Sequence, residues 1–200
     1  VVKDTFFVGT YTRLGARGIY TCLMESETGR LEEIAVAEGL EDPSFLTIDP
    51  TGEHLYAVTE TADSAGEGTV CSLAIQIDGS LALLNQQSTG GADPCHLIVD
   101  ATDSHLLVTN YIGGSVCMLP ISPDGRLGER CDFIQHYGSS VNADRQEQAH
   151  AHSVTIDLSN SRAYVCDLGM DKILIYRINA EGQCLDLESE LTMEADPGQG

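Results

Sequence analysis

The chain has 200 residues, with 10 Lys and Arg against 31 Asp and Glu, so its formal charge is −21. Phosphate recognition needs a basic surface, and this balance excludes a general nucleic-acid binder. A hydrophobic fraction of 42% is typical of a packed globular protein. No apolar run approaches the ~20 residues of a membrane helix, and the first residues lack the apolar segment of a signal peptide. We therefore expect a cytoplasmic protein that binds no membrane.

The first predicted elements form a shortened unit in residues 1–41. Residues 6–11, 18–23 and 28–31 match the second strand, the third strand and the final turn of the units that follow. The strand that opens those later units is absent here. Chain ends commonly share one blade of a β-propeller, so we expect a more C-terminal segment to supply it.

Three longer units follow, and each opens with a predicted strand that ends in an aspartate. These strands span residues 43–49, 94–100 and 151–157. Two further strands rich in β-branched residues come next, followed by a glycine turn. A weaker fourth strand then contains Leu81, Leu127 or Leu185. Four short strands in units of about 45–57 residues are typical of propeller blades.

We therefore predict an all-β fold, a β-propeller of four-stranded antiparallel blades in one domain. The predicted blade ranges are 1–41, 42–92, 93–148 and 149–200. Six or seven blades of about 45 residues need roughly 270–315 residues, so we expect the N-terminal portion of a longer protein. A closed four-bladed ring is the alternative.

Loops alternate between the two faces of a propeller, and the polar candidates fall on one face. The longest insertion, residues 138–152, carries Arg145 and ends with His150 and His152. Residues i and i+2 of a strand point to the same side, so both imidazoles could face the central channel. Three interpretations stay open: a histidine satisfied by backbone, a general acid or base, and a metal pair without an obvious third ligand.

Two other polar residues have a structural interpretation that is favoured over a functional one. His96 falls one register position after His152, which favours a place between blades. Asn110 and Asp167 end two second strands, which favours hydrogen bonding to the adjacent loops, with a pocket-lining role for Asn110 as the alternative. The seven cysteines contain no CxxC pair and indicate reduced thiols, so we expect no metal or other cofactor.

Several motifs, taken together, resemble those of one enzyme family. They are Val8-Gly9-Thr10-Tyr11-Thr12, Asp42-Pro43-Ser44-Phe45-Leu46, Pro94-Cys95-His96-Leu97, Asn110-Tyr111-Ile112-Gly113-Gly114 and His150-Ala151-His152-Ser153-Val154. In this order they resemble the propeller-type 6-phosphogluconolactonases, a family that includes carboxymuconate lactonising enzymes. The resemblance implies a seven-bladed propeller with His152 in its pocket. It also implies a pocket arginine and glutamate after the segment 197–200.

The resemblance predicts an enzyme that hydrolyses 6-phosphogluconolactone or a similar small anionic lactone, with His152 as general base. The candidates for substrate binding are Arg145, His150, Asn110 and His96. Three alternatives stay open: a muconate-type lactonising isomerase, a metal-dependent lactonase, and a non-catalytic propeller that binds a protein partner.

Overall fold

A computed structural model describes residues 3–194, which form four antiparallel β-sheets. The first sheet contains β1 (Lys3–Val8), β2 (Gly18–Glu25) and β3 (Leu31–Glu38). The second contains β4 (Leu46–Ile48), β5 (His54–Thr59), β6 (Thr69–Ile75) and β7 (Leu81–Ser88). The third contains β8 (Pro94–Val99), β9 (His105–Asn110), β10 (Ser115–Pro120) and β11 (Asp132–Gln135). The fourth contains β12 (Ala151–Ile156), β13 (Arg162–Asp167), β14 (Lys172–Asn179) and β15 (Cys184–Thr192).

The strand order confirms the predicted all-β fold of four-stranded antiparallel blades. Within every sheet, strands that are consecutive in sequence are hydrogen-bonded neighbours. This up-and-down order is that of a propeller blade. The first sheet has three strands, in agreement with the opening strand that the sequence lacks there.

The hydrophobic core lies between neighbouring sheets. Leu55 and Ala57 of β5 pack against Ile19 of the first sheet. Tyr56, between them in sequence, points to the opposite face and packs with Leu97 of the third sheet. A third cluster joins the third and fourth sheets in the same way. The middle strands are therefore buried on both faces, which explains why they read as continuous apolar runs.

The repeated aspartates close the turn after each opening strand. One carboxylate oxygen of Asp49, Asp100 and Asp157 accepts hydrogen bonds from the backbone N–H groups four and five residues later, at 2.7 to 3.2 Å. Such turns leave backbone donors that the short carboxylate can reach. The aspartate of each repeat is therefore a turn-forming residue, at the end of the strand remote from residues 44, 95 and 152.

Leu127 does not belong to the fourth strand of its sheet, so that prediction was wrong. The fourth strand is β11, and Leu127 forms only an isolated bridge with Ile121. The Leu127 N–H donates to Asn85 Oδ1 at 3.1 Å, and its carbonyl accepts from Asn85 Nδ2 at 2.7 Å. Because this amide of the second sheet satisfies the backbone, Leu127 packs into the interface between the sheets.

Candidate active site

A cavity of about 290 Å³ opens where the inner strands begin. Strand β8 contacts both β4 and β12, which brings the starts of three blades together. The cavity is lined by Tyr11, Ser44, Phe45, Glu60, Cys95, Tyr111, Arg145 and His152. The lining thus combines one imidazole, one guanidinium and one carboxylate with three aromatic rings.

Ser44, Cys95 and His152 occupy equivalent positions in the three units, and all three line this cavity. Cys95 and His152 each lie in a β-bulge, where the residue has no paired residue on the neighbouring strand. A bulge redirects a side chain, and here it turns both residues toward the opening. Burial raises the pKa of Cys95 to about 12, against a weaker effect of the Thr109 hydrogen bond, so its thiol stays protonated.

His152 presents its ring to the cavity. The edge of Tyr111 lies against it, with ring centroids 5.7 Å apart. The side chain is exposed, and within residues 3–194 neither ring nitrogen has a hydrogen-bond partner. Both nitrogens of His152 are therefore accessible to a ligand or a water molecule.

His150 has a different environment from His152. It is 2% exposed, and its Nδ1 lies 3.0 Å from the Tyr111 carbonyl oxygen. Its ring stacks on Tyr111, and its backbone N–H donates to Asp167 at 2.8 Å. The bulge at His152 breaks the strand alternation that would direct both imidazoles to the channel. His150 packs against Tyr111, outside the cavity lining, and its role in substrate binding stays a prediction.

His96 also lies outside the lining, between the second and fourth sheets, where its register position places it. Its ring packs on Phe45 with centroids 4.1 Å apart, and its Nδ1 accepts the Val154 N–H at 3.4 Å. Burial lowers the pKa of His96, and the nearby His152 lowers it further. His96 therefore packs between Phe45 and Val154, and its expected role in substrate binding stays a prediction.

Asn110 belongs to a column of residues that end second strands. Thr10, Thr59 and Asn110 each hydrogen-bond the first residue of the following strand, at 2.7 to 3.1 Å. Asn110 is fully buried, and its Oδ1 has no partner among the described residues. These hydrogen bonds fit the structural interpretation of the column, and a pocket-lining role of Asn110 stays a prediction, although Asn110 is not among the residues that line the cavity at His152.

Asp167 departs from the column because it joins a buried network. Its Oδ2 lies 2.7 Å from His136 Nδ1, and the Tyr176 hydroxyl lies 2.9 Å from His136 Nε2. The other oxygen of Asp167 holds the His150 backbone. The sequence did not single out His136, which lies just before the long insertion. Its buried hydrogen bonds to Asp167 and Tyr176 hold the start of that insertion in the core.

Arg145 projects from the long insertion into the cavity lining. The adjacent Gln146 is buried, and its Nε2 donates to the Leu168 carbonyl and to Asp171, both at 2.8 Å. Over residues 3–194, every Lys and Arg except Arg30 and Arg145 is paired with a carboxylate. Arg145 thus brings an uncompensated positive charge to the cavity.

Glu60, which the sequence did not single out, also lines the cavity. Its Oε2 accepts a hydrogen bond from the Tyr11 hydroxyl at 2.8 Å and another from Ser44. Tyr11 is far away in sequence, on the loop after β1, so local patterns could not reveal the contact. The only sequence signal was that residue 60 follows the Thr59 column at the end of β5.

The described residues contain no group of three or more His, Cys, Asp or Glu side chains arranged to hold a metal ion. The segment 197–200, after which a pocket arginine and glutamate are expected, lies outside the described residues. In the part of the chain that the structure describes, no helix is long and apolar enough to cross a membrane.

Up-and-down sheets that share their cores are typical of a β-propeller, and the polar cavity where they meet is a candidate small-molecule site. A sequence model of the family described as "Lactonase, 7-bladed beta-propeller" matches residues 5–200. The chain belongs to this family. The fold of this family has seven blades. The expected seven-bladed propeller is therefore confirmed, and the alternative of a closed four-bladed ring is not.

Several proteins are similar to this chain. The 6-phosphogluconolactonase of Bacillus subtilis is 34% identical over 89% of this chain and 50% of its own length. That of Formosa agariphila is 28% identical over 97% of this chain and 56% of its own length. The structure of the periplasmic gluconolactonase of Pseudomonas aeruginosa has a TM-score of 0.86 and 28% identity, covering 92% of this chain and 53% of that one. The chain thus spans about half the length of the curated relatives it matches.

Proposed function

We propose that the intact protein hydrolyses a small anionic lactone of the 6-phosphogluconolactone type, and that the cavity at His152 is its active site. One observation carries this proposal: an imidazole without a partner and a guanidinium without a counterion line the same cavity. The names of the Bacillus and Formosa relatives support a lactone as substrate. A cytoplasmic location remains a prediction, since one relative is periplasmic.

His152 acts as the general base in this proposal. A neutral imidazole suits proton transfer near physiological pH. It takes one proton from a water molecule as that water attacks the lactone carbonyl carbon. The tetrahedral intermediate then collapses, the ring C–O bond breaks, and the imidazolium returns the proton to the leaving alkoxide. The balance is one water consumed and one hydroxy acid released.

Arg145 binds the anionic group of the substrate. A guanidinium presents parallel N–H donors that match the oxygens of a phosphate or carboxylate. Because no carboxylate of the described residues engages Arg145, binding does not require an internal ion pair to break. The hydrogen bonds of the adjacent Gln146 to Leu168 and Asp171 hold the part of the insertion that carries Arg145 in place.

The test compares two charge-removing variants of the intact protein, Arg145→Gln and Arg30→Gln. Both residues lack an ion-pair partner among the described residues, but Arg30 lies in the turn between β2 and β3, away from the cavity. Hydrolysis of 6-phosphogluconolactone and of unphosphorylated gluconolactone is measured above the spontaneous rate. Arg145→Gln should raise KM for the phosphorylated lactone about 10- to 100-fold, the usual worth of hydrogen bonds to charged groups. The same substitution should change the KM for unphosphorylated gluconolactone little.

Arg30→Gln should behave as the wild-type protein with both lactones. Equal kinetics of the two variants would contradict the role of Arg145. A wild-type protein that hydrolyses neither lactone but cyclises carboxymuconate would instead be a lactonising isomerase. Inactivity toward all three compounds would favour a propeller that binds a protein partner.

A further inference from the structure

The carboxylate of Glu60 is satisfied on one oxygen only. Both hydroxyl donors, from Tyr11 and Ser44, bind Oε2. Within the described ranges, Oε1 has no hydrogen-bond partner, although Glu60 lines the cavity together with His152. The backbone of Glu60 is fixed, because its N–H donates to the Asp42 carbonyl at 3.0 Å. Glu60 therefore has one carboxylate oxygen that no described residue engages, and it lines both the cavity at His152 and a neighbouring one at Arg13 and Asp93.

Among residues 3–194, no Lys or Arg side chain forms an ion pair with the Glu60 carboxylate. The Arg13 guanidinium is paired with the buried carboxylate of Asp42, and it also donates to the backbone carbonyl of Glu60 at 3.4 Å. The negative charge acts on its neighbours: burial raises the pKa of Asp93, and the charge of Glu60 raises it further. The cavity lining therefore contains one positive group, Arg145, and one negative group, Glu60, neither of which has an ion-pair partner among the described residues.

We propose that Glu60 determines substrate specificity: its free Oε1 accepts a hydrogen bond from a hydroxyl of the lactone, and its charge excludes a ligand with a second carboxylate at that position. The inference rests on the proposed lactone hydrolysis. It narrows the substrate class to polyhydroxylated sugar lactones with one anionic group, which lies at Arg145.

The chemistry of the two candidate ligands makes this selection effective. A sugar lactone carries hydroxyl groups, each of which can donate a hydrogen bond to a carboxylate. A muconate-type diacid carries ionised carboxylates, which only accept, and placing one beside Glu60 brings two like charges together. Specificity built from one attraction and one repulsion is stronger than either alone.

The test measures ligand binding to the intact protein by calorimetry, so that it does not depend on turnover. The two probes are glucose 6-phosphate, a ring with hydroxyl groups and the phosphate as its one anionic group, and carboxymuconate, which has ionised carboxylates and no hydroxyl group. The variants are Glu60→Gln and, as a matched control, Glu41→Gln, which removes an exposed charge near the mouth but outside the lining. The amide that Glu60→Gln introduces keeps an oxygen for Tyr11 and Ser44, and cooperative melting checks that the fold is retained.

Glu60→Gln should weaken glucose 6-phosphate binding about 10-fold, since a charge-assisted hydrogen bond becomes a neutral one. The same change should leave carboxymuconate binding unchanged or make it tighter. Glu41→Gln should alter neither. Glu60→Asp gives a second readout. It retains the charge but retracts the free oxygen, so it should weaken the binding of glucose 6-phosphate and still disfavour carboxymuconate.

Equal weakening of both probes by Glu60→Gln, or no change in either, would overturn the inference. A wild-type protein that does not hydrolyse lactones but prefers glucose 6-phosphate to carboxymuconate in a Glu60-dependent way would overturn the proposed hydrolysis and leave the specificity role intact. Binding of neither probe to the wild-type protein would overturn both.

Discussion

Replacing His152 by alanine removes the proposed base and little else. The side chain is exposed and its ring has no hydrogen-bond partner among the described residues, so no buried group is left unsatisfied. The substitution mainly removes the packing of the imidazole against the edge of Tyr111. General base catalysis contributes typically 10²–10⁴-fold, and His152→Ala should lower kcat for lactone hydrolysis by about that factor. Thermal unfolding should change little, because Val154 and its cluster still hold β12.

His150→Ala is the control, since it removes a second imidazole two residues away. This substitution breaks a buried hydrogen bond to the Tyr111 carbonyl and a ring stack. The unsatisfied carbonyl should cost about 1–3 kcal/mol of stability, with a smaller effect on turnover. Steady-state kinetics and melting of the three intact proteins give the comparison. A His152→Ala rate above about a tenth of the wild-type rate, or a larger loss of rate in His150→Ala, would refute the assignment.

Two further predictions concern Asp100 and Cys95. Burial tends to raise the pKa of Asp100, but hydrogen bonds from Thr102, Asn160 and two backbone N–H groups outweigh it and lower the pKa. Its stabilising effect is therefore complete above the unfolded pKa of about 3.9 and is lost as pH falls through the folded pKa. Asp100→Asn should lower stability near pH 7 by about 1–3 kcal/mol. In denaturant titrations the difference from wild type should shrink in acid, and a constant difference from pH 7 to pH 2 would contradict the linkage. Cys95, with its pKa raised to about 12 by burial, should resist iodoacetamide at neutral pH although it lines the cavity; rapid inactivation with mass-spectrometric labelling of Cys95 would show otherwise.

The repeats made the fold predictable because each unit carries its own signals. The aspartate at the end of each opening strand marks a turn that its carboxylate closes locally, so it is visible within a few residues of sequence. Leu127 was misassigned because its backbone partners come from Asn85, on another sheet. Contacts between sheets leave no local pattern for the sequence to show.

The site was predictable where it follows the repeat register and not where it depends on contacts between loops. Aligning Ser44, Cys95 and His152 placed His152 at the cavity. The separation of His150 from His152 depends on a bulge, which alternation rules ignore. Glu60 depends on Tyr11, a residue 49 positions away on the loop of another sheet, and no spacing in the sequence relates the two.

The shared cores have a consequence for how this protein can change over evolutionary time. The second and third sheets of the described chain do not have hydrophobic cores of their own. In β5, for example, Leu55 packs against the first sheet and Tyr56 packs against the third. A single unit cut out of the chain would expose apolar residues on both faces. As in other repeat proteins, the interfaces between neighbouring units contribute much of the stability of such an array. Duplication or loss of one whole unit therefore leaves interfaces of the same kind, whereas a substitution at one interface affects two units at once.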